Sequence, residues 1–245
     1  DFALRLNTPP PAEIKAALEQ GMADGFKPTL AIVFASLQLD RQAIGKLFGD
    51  AGITIFGATT NGEFIDEQTG HGEAAILLLD MNTEHFTILF EEYPDKNYRE
   101  KAATQAKIAL EKFANPAFLI SFSNTETDAE SLLLGFEDII GKDVNVYGGG
   151  AGDNYTFSEQ FVFTNNKESN NGMVVLVLDE NKIKIKGRAS CGWKAVGTVR
   201  TVTKREGNHV FTIDDIPVLD LTAKYGGIEN VNPENTSLIQ DIATK

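Results

Sequence analysis

Two short segments hold the residues whose types and spacing best suit ligand chemistry. Thr59, Thr60, Asn61, Gly62 and Glu63 form one; Gly149, Gly150, Ala151, Gly152, Asp153 and Asn154 form the other. Consecutive small residues let a backbone come close to a ligand, and their N–H groups suit a carboxylate or another anion. An acid such as Glu63 or Asp153 suits an ammonium group. The plainer alternative is that these glycines only turn the chain, with Asn61-Gly62 a hairpin signal. Neither segment carries the Lys-Ser/Thr ending of a phosphate-binding loop or a dinucleotide fingerprint.

A third polar cluster, Ser121, Ser123, Asn124, Thr125 and Thr127, stands between a strand and a helix start. Such an edge often holds polar ligands in α/β folds. A capping box of Thr127 and Glu130 accounts for Thr127 and leaves Ser123 and Asn124 open to ligand contact. Cys191, beside Gly192 and Trp193, is a conceivable nucleophile, and a small buried cysteine is the plainer reading. Trp193 reads as core or as the wall of a pocket. The expected ligand contacts are Thr59, Thr60, Asn61, Glu63, Ser123, Asn124, Gly149, Gly150, Ala151, Gly152, Asp153, Asn154, Cys191 and Trp193. No catalytic residue, metal ligand or cofactor is assigned.

Composition narrows the partners. A formal net charge of −13 repels phosphate backbones and anionic lipid, so neither nucleic acid nor a membrane surface is expected. Lys182, Lys184, Lys186 and Arg188 alternate with isoleucines and read as the wet face of a strand. No apolar run approaches the roughly 18 residues of a membrane helix, and no signal-peptide pattern is visible, so the expected location is cytoplasmic. The single cysteine excludes an internal disulfide, and the three histidines have no metal spacing.

The elements that must position these residues follow from pattern. Thr8-Pro9 starts a helix that buries Ile14, Ala17, Leu18 and Met22 and ends at Gly25. "TLAIVFAS" is a buried strand, Asp40 caps a second helix, and "ITIFG" leads into the first candidate segment. "EAAILLLD" and "EHFTILFEE" are two further strands, joined by a tight turn. Asp95 opens the longest helix. The order then repeats, with "AFLISFS", a helix to Ile140, "VNVYGGG", the second candidate segment, and the strands "EQFVFTN", "MVVLVLD" and "KIKIKGR". Laid together, Asp40 falls over Asp128, Gly57 over Gly148 and Asp80 over Asp179, in the same order. The reading is an α/β (α+β) chain of two diverged β-α-β-β-β repeats, near 29–93 and 117–189, forming mixed sheets flanked by helices. A β-hairpin around Gly207-Asn208 and a short helix from Pro217 complete it.

The strings "GATTNGEF", "GGGAGDN" and "SCGWKAVG", in that order, are similar to the FIST domain, a bacterial signal-transduction input domain. The resemblance runs from about Leu30 to Tyr225. It assigns residues 1–190 to an N-terminal-type sensory domain and 191–245 to the opening of an incomplete C-terminal-type region. By resemblance Gly148 through Asp153 fall on one motif, Thr60, Gly62 and Glu63 on another, and Gly192 with Trp193 on a third. It implies an intracellular sensor that binds a small polar ligand, amino acids among them, and passes the signal to an output partner that the sequence does not identify. Two other readings compete. One is a hydrolase or transferase using Cys191, or Glu63 and Asp153; the other is an interaction scaffold without a ligand. The enzyme reading is disfavoured, because no motif pairs a nucleophile with a base.

Overall fold

The computed structural model describes residues 2–7, 11–23, 25–65, 68–154, 159–188, 192, 194–195, 197–207 and 209–226. The chain divides into two units, Asp1–Arg188 and Ala189–Lys245. In the first unit the elements run β1 (Phe2–Asn7), α1 (Pro11–Met22), β2 (Leu30–Ser36), α2 (Arg41–Asp50), β3 (Thr54–Thr60), β4 (Glu63–Ile65), β5 (Gln68–Gly70) and β6 (Glu73–Leu79). There follow β7 (Phe86–Glu92), α3 (Tyr98–Lys112), β8 (Pro116–Phe122), α4 (Ala129–Ile140), β9 (Val146–Gly150), β10 (Val162–Phe163), β11 (Glu168–Ser169) and β12 (Gly172–Asp179). The mixed α/β content expected from the sequence is present.

Two sheets carry the unit, one in the order β1-β6-β2-β3-β10-β11 and one in the order β7-β12-β8-β9. In the first, β2 runs parallel to β3 and antiparallel to β6; in the second, β8 runs parallel to β9 and antiparallel to β12. The registers agree as well. Val33 lies opposite Gly57 and Ile76, and Ile120 lies opposite Gly148 and Val175, so the sequence match of Gly57 with Gly148 holds in space.

The pairing moves the frame of the repeat. The sequence groups the strand at Phe86 with the first repeat, but β7 pairs with β12 and edges the second sheet. The reason is that β6 is flanked on one side by β1 and on the other by β2, which leaves no free edge for β7. A 3₁₀ turn at Thr83–His85 therefore carries the chain across to the other sheet. β7 and α3 are the counterparts of β1 and α1, and each repeat is β-α-β-α-β-β with a hairpin inserted before its last strand.

Alternation along the strands sends side chains to two different cores. On the outer face of the first sheet, Ile14 and Leu18 of α1 and Ile44 and Phe48 of α2 pack with Val33, Ile55 and Ile76. On the outer face of the second, Ala102, Ala106 and Ala109 of α3 and Leu132 and Phe136 of α4 pack with Phe118, Ile120 and Val175. Between the sheets lie Leu30, Phe56, Phe86, Val174, Leu176 and Leu178. The order helices, sheet, sheet, helices follows. The stretch Lys182–Arg188 forms no strand; Ile183 and Ile185 instead pack into the core between the sheets while their lysine neighbours stay outside.

Caps explain two differences from the sequence reading. Asp40 caps α2 as expected, its carboxylate accepting from Ala43 N–H at 2.9 Å. Asp128, not Thr127, caps α4, accepting from Ser131 N–H at 3.0 Å. Thr127 is buried and donates its hydroxyl to the Ser123 carbonyl at 2.7 Å. Lys96 adopts a left-handed turn with φ 56°, so α3 begins at Tyr98 rather than at Asp95.

The insertion of the second repeat reaches across to the first sheet. β10 adds to the edge of β3, and Asn165 donates to Ile53 O at 2.8 Å while accepting from Ile55 N–H at 2.9 Å. Arg41 of α2 holds the arm through Glu168 at 2.8 Å and lies 4.2 Å from the Phe161 ring centre. The insertion of the first repeat, the β4–β5 hairpin, pairs only with itself and folds over β6, β1 and β2.

In the second unit, β13 (Val202–Glu206), β14 (His209–Ile213) and β15 (Ile216–Pro217) form a small sheet, followed by α5 (Val218–Gly226). The hairpin and short helix stand where the sequence puts them. Arg200 pairs with Asp214 at 2.9 Å, and the Asp214 carboxyl, which also accepts from Thr201 N–H, is held below its ordinary value, the backbone hydrogen bond being the main cause.

Candidate functional site

The ends of β2, β3, β8 and β9 meet at one place between the two sheets. Phe34, Ala58 and Thr60 face it from the first sheet; Leu119, Ser121 and Gly149 face it from the second. Small residues at Ala58, Ser121 and Gly149 leave a cavity of about 340 Å³, with Thr59, Asn61 and Gly150 to Gly152 on its rim. The carboxyl ends of parallel strands are the usual place for ligands in open α/β sheets. The two segments singled out in the sequence thus line a single pocket.

The hydrogen bonds show what each group has left to offer. Asn61 Oδ1 accepts from the N–H groups of Asp153 at 2.6 Å and Asn154 at 2.9 Å. Gly152 N–H donates to Thr59 O at 2.7 Å, and Ala151 N–H to Phe122 O at 2.8 Å. The N–H groups of Gly152, Asp153 and Asn154 are therefore spent on tying the two segments together, and that of Ala151 on β8. That bonding also fixes the orientation of the Asn61 amide, which leaves its Nδ2 as a donor. Ser121 Oγ donates to Gly149 O at 3.1 Å, and Thr60 Oγ1 donates to Glu63 at 2.5 Å, so both hydroxyls keep lone pairs. Among the described residues no charged side chain lines the cavity.

The two candidate acids are buried and hydrogen-bonded. Asp153 is 2% exposed and accepts from Glu159 N–H at 3.2 Å; it is not on the cavity wall. Glu63 is 3% exposed and accepts from Thr60 and, at 3.3 Å, from Glu73 N–H, which anchors the start of β4 to β6. Thr59 is buried too, its hydroxyl accepting from Phe161 N–H at 2.9 Å.

Ser123 and Asn124 are not among the residues lining this cavity. Ser123 Oγ accepts from Gly172 N–H at 3.0 Å and so holds the start of β12. Asn124 sits at φ 76° with Oδ1 accepting from Glu126 N–H at 2.9 Å, a turn closed by its own side chain. Beneath them Tyr93, fully buried, donates to Gly172 O at 2.7 Å, with the Thr127 hydroxyl oxygen 3.2 Å away. Burial raises the Tyr93 phenol well above its ordinary value. Cys191 and Trp193 lie outside the described residues.

Sequence reasoning missed the apolar wall formed by Phe34, Phe56 and Leu119, because alternation assigns them to core. Of the three, Phe34 is given away by its exposure, and only in space. Phe34, flanked by β3 and β6 in mid-sheet, is still 40% exposed. Among the described residues no group of three or more His, Cys, Asp or Glu is placed to hold a metal ion, and no helix is long and apolar enough to cross a membrane.

No curated protein matches the chain. The FIST N domain family model matches residues 29–216, a span that takes in β2 through β14 and both segments lining the cavity; the chain belongs to the FIST N domain family, whose members are signal-transduction sensory domains.

Proposed function

We propose that this domain is an input module that holds a small polar ligand, unconverted, in the cavity between the two sheets. The observation that carries the reading is the meeting of two repeat-related segments, Thr59–Asn61 and Gly148–Gly152, on one cavity of about 340 Å³, a volume within the range of small-molecule sites. The wall groups select the ligand. Asn61 Nδ2 suits a carboxylate, and the lone pairs of Ser121 and Thr60 suit an ammonium group. With no charged side chain among the described residues of the wall, a zwitterion such as an amino acid fits better than a lone anion, whose charge would go unbalanced. Glu63 and Asp153 are engaged with backbone donors, so they offer no free acid or base for chemistry. The cytoplasm is the proposed setting, and 191–245 the proposed start of the family's C-terminal region.

Thermal melting with a panel of amino acids and small carboxylates tests this. A ligand at a hundred times its dissociation constant stabilises the native state by about 2.7 kcal/mol. In a chain of this size that raises Tm by roughly 5–10 °C. A panel with no shift, and no heat by calorimetry, replaces this reading with that of a scaffold. Turnover of a hit, abolished by Cys191→Ala, replaces it with an enzyme.

A further inference from the structure

A second cavity, of about 680 Å³, opens directly beside the first, and Phe34, Thr60 and Leu119 line both. Its cause is the unequal size of the sheets. The six-stranded sheet meets the four-stranded one through β3 and β10, which pack against β7, β8 and β12. The β2 and β6 side of the larger sheet is left to the β4–β5 hairpin, which only partly roofs it. Ile32, Phe34, Ala75 and Leu77 form the floor, Leu119 one wall, and Phe64 the overhang. Three of these are wet. Phe64 is 73% exposed, Phe34 40% and Leu77 36%, although alternation makes Phe34 and Leu77 inward-facing residues.

Resting on the function proposed above, we infer that the ligand is amphipathic, with a zwitterionic head in the polar cavity and an unbranched or aromatic apolar tail in this cleft. Continuity of the two cavities through Phe34, Thr60 and Leu119 favours one molecule spanning both. The hairpin overhang makes the site a recess of small-molecule size rather than a flat face for a protein partner. Among the described residues, Glu63 is the one acid on the wall of the cleft, and both its carboxylate oxygens are engaged at the base of the hairpin. The tail therefore meets apolar surface.

A homologous series of alanine, norvaline, norleucine and 2-aminooctanoic acid reads the cleft directly by calorimetry on the full chain. Each added methylene buries apolar surface and should tighten binding about three- to fourfold. In Phe64→Ala, and separately in Leu77→Thr, that factor should fall towards one while alanine binds as before; Phe64, the more exposed, is the substitution less able to disturb folding. A flat series in the wild type, with alanine still bound, overturns the apolar tail and leaves the binding function standing. A slope that both variants retain places the tail elsewhere and overturns the inference too. A flat series with a dimer by sedimentation that Leu77→Thr dissociates assigns the cleft to a second copy instead. Binding by no member of the series removes the function itself.

Discussion

Two adjacent glycines on β9 should respond in opposite directions to the same added methyl group. A Cβ on Gly148 would lie 1.9 Å from the Ile120 carbonyl oxygen, and its φ of +150° is one that side chains rarely adopt. A Cβ on Gly149 would meet nothing within 4 Å, and its backbone has no such conformation. Its side would face the cavity that Gly149 lines. The fold therefore demands glycine at 148 and not at 149. Gly149→Ala should stabilise the unliganded domain by about 0.4–1 kcal/mol, because it removes unfolded-state freedom at a compatible position. At roughly 2–4 °C per kcal/mol, Tm rises by about 1–4 °C. Gly148→Ala should lower stability by about 1–3 kcal/mol through steric strain. Gly149→Val adds a branched side chain that suits a strand and fills the cavity, so it should keep the stability gain and abolish the melting shift produced by any ligand. Differential scanning calorimetry with and without the best ligand measures both effects. If Gly149→Val bound ligand as tightly as wild type, the cavity between the sheets would not be the site. If Gly149→Ala lost more than about 1 kcal/mol, the space beside it would not be open.

Two further outcomes follow from the buried polar groups. Asp153→Ala should cost about 1–3 kcal/mol in urea unfolding, since removing the buried carboxylate, 2% exposed, leaves Glu159 N–H without its acceptor; an unchanged midpoint would refute a structural role for Asp153. Tyr93→Phe should cost about 1 kcal/mol at neutral pH, where the phenol bonds Gly172 and Thr127. Because burial raises the folded-state pKa of Tyr93, the folded state holds the proton more tightly than the unfolded one, and wild-type stability falls as pH rises above about 10. Thermal melts between pH 9 and about 11 should thus decline less steeply in Tyr93→Phe; equal slopes would refute the assignment.

What the sequence determined by itself was local. The cap at Asp40, the periodic helices and the strands before each glycine segment are set by neighbours in the chain, so pattern alone locates them. The duplication was legible for the same reason, since Gly57 and Gly148 occupy one register in both sheets. Tertiary structure decided everything that depends on which edge is already taken. β7 belongs to the second sheet because β1 and β2 occupy both edges of β6. Composition marks Ser123 as polar and available, yet the Gly172 N–H, far along the chain, is brought to it by folding. Phe34 and Leu77 read as core by alternation and are wet because the smaller sheet does not extend over them. A side chain's chemistry is fixed by its type, but whether a partner or a ligand receives it depends on contacts between residues far apart in the chain, and pattern does not carry that information.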